Sequence, residues 1–197
     1  MENFFWVSGC LWLDAVNCEW ISGGARVDGW RDSGALEAWL REAGERYDEA
    51  HALRAITLGE NAPLEAARHL RASFRAACEA TRDGRAIPPE VVDELNALLS
   101  RRGVVSGLER TEEGWRVREV LEENQHANAV LYVLARSALQ SWTRGELGRL
   151  KPCANPNCIL WFLDTSKNGT RRWCSMGACG NRNKVSAHYE RRAKGQK

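Results

Sequence analysis

Apolar residues along this chain recur mostly at helical spacing, and the breaks between them fall at glycine and proline. Phe4–Leu13 holds two short apolar runs broken at Ser8-Gly9, a pattern that fits either a small hairpin or a strand turning into a helix. The glycine-rich stretch Ser22 to Gly34 predicts a long loop. Three helices should follow: one from Ala35 to Ala43 capped by Ser33, one from Asp48 to about Leu58, and one from Ala62 to Thr81 with Pro63 in its first turn. Asp83-Gly84 and Pro88-Pro89 punctuate the next loop, and Pro89 opens a helix through Leu99. Val104 to Val120 alternates weakly about Glu113-Gly114, the pattern of a solvent-exposed hairpin. A long helix from Glu122 to Trp142 puts Ala127, Val130, Leu131, Leu134, Ala138 and Trp142 on one broad face, as a core helix requires. Gly145, Gly148 and Pro152 mark a boundary, dividing the chain into 1–146 and 147–197.

The last quarter changes the picture. Cys153-Ala-Asn-Pro-Asn-Cys158 is followed, after a gap of fifteen residues, by Cys174-Ser-Met-Gly-Ala-Cys179. Two matched pairs of thiolates can enclose one tetrahedral zinc, and an all-cysteine site is closed, leaving no position for a catalytic water. The alternatives are four unrelated buried cysteines, or disulfides. Phe4–Leu13 lacks the basic flank of a signal peptide, and no segment reaches the roughly 18 apolar residues of a membrane span. A reducing cytoplasm is therefore expected, with no membrane partner, and it favours metal over disulfides. Between the pairs, Leu160–Leu163 and Arg171–Trp173 flank Asn168-Gly169, a hairpin signature. Ser175 can cap a helix that follows. Knuckle, hairpin and helix together make a treble clef. The predicted fold class is α+β: a predominantly helical N-terminal domain with small β-hairpins, then a C-terminal treble-clef finger holding one structural Zn²⁺ on Cys153, Cys158, Cys174 and Cys179.

Net charge is +2, but residues 144–197 hold 12 Lys/Arg against 3 Asp/Glu, and the preceding residues 16 against 23. A basic end on an acidic body points to a polyanion, double-stranded DNA first. On a helical wheel Lys184, His188, Arg191 and Lys194 cluster on one side, while Val185, Tyr189 and Ala193 lie opposite with Arg182. The first group, with Arg192, is expected to face phosphate. Arg182 is expected to be scaffold, pairing with Asp164. Arg171 and Arg172 complete the candidate contacts, but they alternate along a strand, so at most one faces the target. The alternative partner is a protein or RNA bound by a non-enzymatic module.

In the third helix Arg71 falls inside the apolar arc of Leu64, Ala67, Leu70, Phe74 and Cys78. A charge there needs a partner. One reading is an internal pair with Asp14 or another acid. The other is a small-ligand pocket lined by Arg71, Asp14 and Asn17. Cys10, Cys18 and Cys78 lie outside the zinc pattern and read as buried free thiols. No phosphate loop, nucleophile elbow or dinucleotide fingerprint is present, and no histidine lies between Ile159 and Trp173 for a nuclease site, so no enzyme is expected. No heptad or interface pattern is visible, which leaves the oligomeric state open, a dimer included.

Cys153-x4-Cys158-x-x-Trp161-Phe162-Leu163-Asp164-Thr165-Ser166-x-Asn168-Gly169-x-Arg171-Arg172-Trp173-Cys174-Ser175-Met176-x-x-Cys179-Gly180-Asn181-Arg182 closely resembles the CGNR zinc finger. Leu13-Asp14-Ala15-Val16-Asn17 resembles the motif of the ABATE domain that precedes this finger, with Ala15 where that family has Phe. The resemblance implies a helix-rich N-terminal domain with an unknown ligand, a treble-clef finger, and a proposed role in stress-linked bacterial transcription regulation.

Overall fold

The hub of the fold is a helix of six residues, α1 (Leu11–Val16), whose every side chain is buried. The computed structural model describes residues 4–59, 62–101, 103–122 and 124–181. Of the two options for Phe4–Leu13, neither holds in full: residues 4–7 form no strand, and the helix begins only at Leu11. Trp12 packs edge-on against Phe74 at 5.5 Å and Trp142 at 6.0 Å, and its backbone N–H donates to Ser137 Oγ.

Ser22–Gly34 is not a long loop. It contains half of a tight hairpin, β1 (Glu19–Ser22) and β2 (Ala25–Asp28), turned at Gly23-Gly24. The register sets Glu19 opposite Asp28, two like charges that repel unless a cation joins them. Helix α2 (Ser33–Arg46) follows, capped by the Asp32 carboxylate, which accepts from Ala35 N at 2.7 Å. The cap is thus one residue earlier than Ser33, because the stronger acceptor takes the free N–H groups. Residues Asp48–Ala55 form a 3₁₀ helix packed on α2. A Cβ on Gly44 would stand 2.6 Å from Arg54 N, so this close crossing requires glycine.

The next elements follow the periodicity. Helix α3 (Leu64–Arg82) starts after Pro63, and α4 (Pro89–Leu99) starts at Pro89. Strands β3 (Val104–Thr111) and β4 (Gly114–Leu121) form the expected hairpin, with Leu108, Trp115 and Val117 exposed. Helix α5 (His126–Thr143) begins four residues later than expected, after Asn124 in the left-handed region. It is buried on most sides, from Ala129 to Ser141.

The finger begins at β5 (Leu150–Pro152), which pairs antiparallel with β6 (Trp161–Leu163) across the first cysteine turn. The expected pairing of residues 160–163 with 171–173 does not form. The Asp164 carboxylate captures Arg171 N and Ser166 N, both at 3.0 Å, and closes the intervening loop on a side chain instead of a ladder. The Asn168-Gly169 turn itself is present, with Gly169 at φ +60°.

The alternation of β6 divides it between two cores. Trp161 and Leu163 join the large core of α1, α3 and α5, whereas Leu160 and Phe162 pack with Cys153, Cys174 and Cys179. The split at 146/147 is therefore a joint in sequence and not a gap in packing. Among the described residues no helix is long and apolar enough to cross a membrane.

Candidate metal centre

Each cysteine pair is shaped by local hydrogen bonds. Asn155 Oδ1 accepts from Asn157 N at 3.0 Å, and Cys158 N donates to Asn155 O at 2.9 Å, so residues 153–158 curl back on themselves. Cys153 N donates to Leu160 O, fastening that turn to the β5–β6 pair. On the other side Ser175 Oγ caps a wide helical turn, Met176–Gly180, by accepting from Ala178 N. Cys179 N and Gly180 N both donate to Ser175 O at 3.0 Å.

These turns bring four Sγ atoms within 4.8 Å of one another. Cys158 and Cys174 stand 3.8 Å apart, and Cys174 and Cys179 3.7 Å. A tetrahedron of zinc–sulfur bonds of about 2.3 Å has edges of about 3.8 Å. The donor set therefore fits a tetrahedral metal in both chemistry and spacing. Cys174 N also points at Cys153 Sγ from 3.5 Å, the kind of N–H···S contact that supports a thiolate ligand. Three of the thiols, Cys158, Cys174 and Cys179, work against each other. The hydrogen bond from Cys174 draws the Cys158 thiol down to about 5, while that same bond, with burial, pushes Cys174 up. Burial and then the charge on Cys158 push Cys179 up to about 11. A dication removes this conflict, since it favours all four thiolates at once.

Arg171 is not positioned for a phosphate. Its guanidinium lies over Phe162 at 4.2 Å and donates to the carbonyls of Val7 (2.9 Å), Leu163 (3.4 Å), Trp173 (3.0 Å) and Cys174 (2.5 Å). It clasps the N-terminal segment, β6 and the second cysteine turn together. Replacing Arg171 by Ala is expected to cost about 3 kcal/mol, since hydrogen bonds to a charged group are worth about 1.5–3 kcal/mol net. Melting should fall by roughly 6–12 °C in a domain of this size. Lysine should not restore it, for lack of a planar fork. Thermal melting with metal analysis checks both. Arg172 remains exposed, its guanidinium over Trp173 at 5.2 Å. Lys184, His188, Arg191, Arg192 and Lys194 lie outside the described residues, as does Arg182. Among the described residues Asp164 is held by Lys151 Nζ at 2.6 Å and then by Ser166, which keep its carboxyl well below the usual range.

Asn17 Nδ2 reaches Asp14 Oδ1 at 3.5 Å, while Arg71 is engaged with other acids. Arg71 donates to both Asp28 oxygens at 2.6 and 2.7 Å and to Glu19 at 3.4 Å, so the internal-pair reading holds, with a partner other than Asp14. Desolvation pushes the Asp28 carboxyl up, but the bonds and charge of Arg71 outweigh it and hold it low. Asp14 accepts from Val7 N, Ser8 N and the Tyr47 hydroxyl, and burial raises its pKa. Asn17 brackets one residue of the finger, donating to Trp161 O at 2.9 Å and accepting from Trp161 N at 2.8 Å. Nearby, Leu163 N donates to Ser8 O and Arg75 to Ile159 O. The Leu13–Asn17 motif is thus a seam between body and finger. Sequence reasoning missed Ser8, Lys151 and Arg75 here, and the only signal was a short run of polar residues inside an apolar stretch. Burial pushes the thiols of Cys10, Cys18 and Cys78 up, as inert cysteines require.

A groove of about 940 Å³ lies elsewhere, between β4 and the 3₁₀ helix, with Arg136 and Glu119, bound to each other, in its lining.

Comparison with known families covers both parts. The model of the ABATE family, described as "Putative stress-induced transcription regulator", matches residues 9–145, well over half of the chain. The model of the CGNR zinc finger matches residues 149–192. No curated protein matches the chain.

Proposed function

Given that the chain belongs to the ABATE family and carries a CGNR zinc finger at its C-terminal end, we propose that it is a zinc-dependent, DNA-binding transcription regulator of the cytoplasm, and not an enzyme. One observation carries this reading: four thiols converge at zinc spacing in the same end of the chain that gathers the surplus of cations. One structural zinc on Cys153, Cys158, Cys174 and Cys179 would fix the treble-clef arrangement and present that basic end to duplex phosphate. An all-cysteine shell leaves no open coordination position, which supports a scaffold role for the metal over a catalytic one. In this reading the body senses a small ligand in the groove beneath β4, whose volume of about 940 Å³ suits such a site.

Duplex binding by the zinc-loaded chain should weaken steeply with salt, log K falling with log salt by about 0.9 for each phosphate contacted. Fluorescence anisotropy at several ionic strengths measures it, and an unbiased duplex selection should enrich a motif. Tighter capture of single-stranded RNA at equal ionic strength, with no motif enriched, would replace this reading by that of an interaction module.

A further inference from the structure

The cations of this protein differ in whether a carboxylate stands beside them. In the body most arginines have an acidic partner. Arg26, Arg41, Arg46, Arg54, Arg68, Arg71, Arg75, Arg82, Arg85 and Arg136 all sit within ion-pair distance of a carboxylate. At the junction with the finger Lys151 pairs with Asp164, but several other cations are unpaired, as Arg110 and Arg118 of the body also are among the described residues. Arg144, Arg149, Lys167 and Arg172 have no acidic partner among the described residues.

Two of these four face one hollow. Arg144 caps the end of α5, and Arg149 ends the 3₁₀ turn Glu146–Arg149 that leads into β5. Together with Gly145, Glu146, Leu163 and Thr165 they line a depression of about 200 Å³. That is too small for a drug-sized ligand, which takes roughly 300–1,000 Å³, but it is ample for one phosphate group. The depression is built onto the finger, because Asp164 N donates to Arg149 O at 2.8 Å and Thr165 opens the turn that carries Lys167. Its position is therefore fixed relative to the metal centre by the β5–β6 pair. Glu146 is the one opposing charge on its wall.

We propose that this depression seats a backbone phosphate of the duplex DNA that the finger binds, with Arg144 and Arg149 as its cations. The contact surface then extends from the finger onto the junction with α5, and Glu146 weakens the seat. This inference rests on the DNA-binding reading above. The competing account is local. A cation at the C-terminal end of α5 is favoured by the helix dipole alone, and Arg144 would then serve stability only.

The test is anisotropy titration of a generic duplex by the full zinc-loaded chain across a range of salt. The double variant Arg144→Gln/Arg149→Gln should flatten the log K–log salt slope by about 0.9, for the one phosphate no longer neutralised, and weaken binding at about 0.1 M salt roughly tenfold. Zinc content and melting should be unchanged, and Arg82→Gln/Arg85→Gln on the body should leave the slope as in the wild type. Glu146→Gln should strengthen binding several-fold, a gain that misfolding cannot produce. An unchanged slope in the Arg144/Arg149 variant, with wild-type binding intact, overturns the phosphate seat and leaves the DNA-binding reading standing. So does a loss of melting temperature without a change of slope. A wild type that shows no salt-dependent duplex binding, or prefers single-stranded RNA, overturns the DNA-binding reading itself.

Discussion

Stripping the metal from the full chain is expected to unfold residues 150–181 and to loosen the body as well. Structural zinc in small fingers contributes on the order of 10–16 kcal/mol of binding free energy, all of it available to folding. The metal's loss would leave Cys153, Cys174 and Cys179 as a small apolar cluster with only Leu160 and Phe162 buried beside them, too little to hold two tight turns in place. The damage should spread because the finger and the body share a strand. Trp161 and Leu163 fill part of the large core, and the peptide of Trp161 satisfies both ends of the Asn17 amide. If β6 leaves, Asn17 loses both bonds to that peptide and keeps only a long one to Asp14 at 3.5 Å, at a cost of about 1–3 kcal/mol per orphaned group. Hydrogen exchange on chelator-treated protein should therefore show loss of protection in β5 and β6, with partial loss in α1, while α2 and α3 persist. Cys174→Ser should reproduce the pattern and abolish metal uptake, and Cys10→Ser should leave metal content unchanged. Full protection of β6 after metal removal would show that the strand is held by the body alone.

The second large effect lies at the β1–β2 hairpin. Arg71→Ala is expected to destabilise the chain by about 3–5 kcal/mol, the range for breaking one side of a buried ion pair. The arginine is only 4% exposed, stacks on Trp30 at 4.9 Å, and bridges Asp28 and Glu19. Those carboxylates face each other across β1 and β2, so removing Arg71 leaves two neighbouring anions with the more peripheral Arg26, Arg68 and Arg75 to share. Urea unfolding measures the loss. Adding Glu19→Gln and Asp28→Asn to the Arg71→Ala chain should recover part of it by removing the repulsion. A cost below about 1 kcal/mol would mean that the guanidinium is not structural, and would return Arg71 to the candidate ligand residues.

Legibility in the sequence followed physical range. The helices at 64–82 and 89–99 and the hairpin at 104–121 were readable because proline, Glu113-Gly114 and local periodicity decide them within a few residues. The β1–β2 hairpin was not readable: its four-residue strands sit in a glycine-rich stretch where alternation has no room to show. Arg71 was legible as an anomaly, a charge on an apolar face, but its partners were not. Register alone brings Glu19 and Asp28 to the same place, and they come from a hairpin that the sequence concealed. Arg171 looked like a phosphate contact because its type and setting suit one, and only the convergence of four carbonyls shows that its donors are already committed.

The metal centre is written into the chain itself. Cysteine spacing, the capping Ser175 and the tight turns are local features, and they shape each pair of thiols. How that centre is attached to the rest is a matter of tertiary packing. Pairing β6 with β5 instead of residues 171–173, setting Trp161 into the large core, and closing Asn17 around its peptide are choices among distant partners. They are settled by burial and hydrogen-bond satisfaction between groups far apart along the chain, which no short-range pattern encodes.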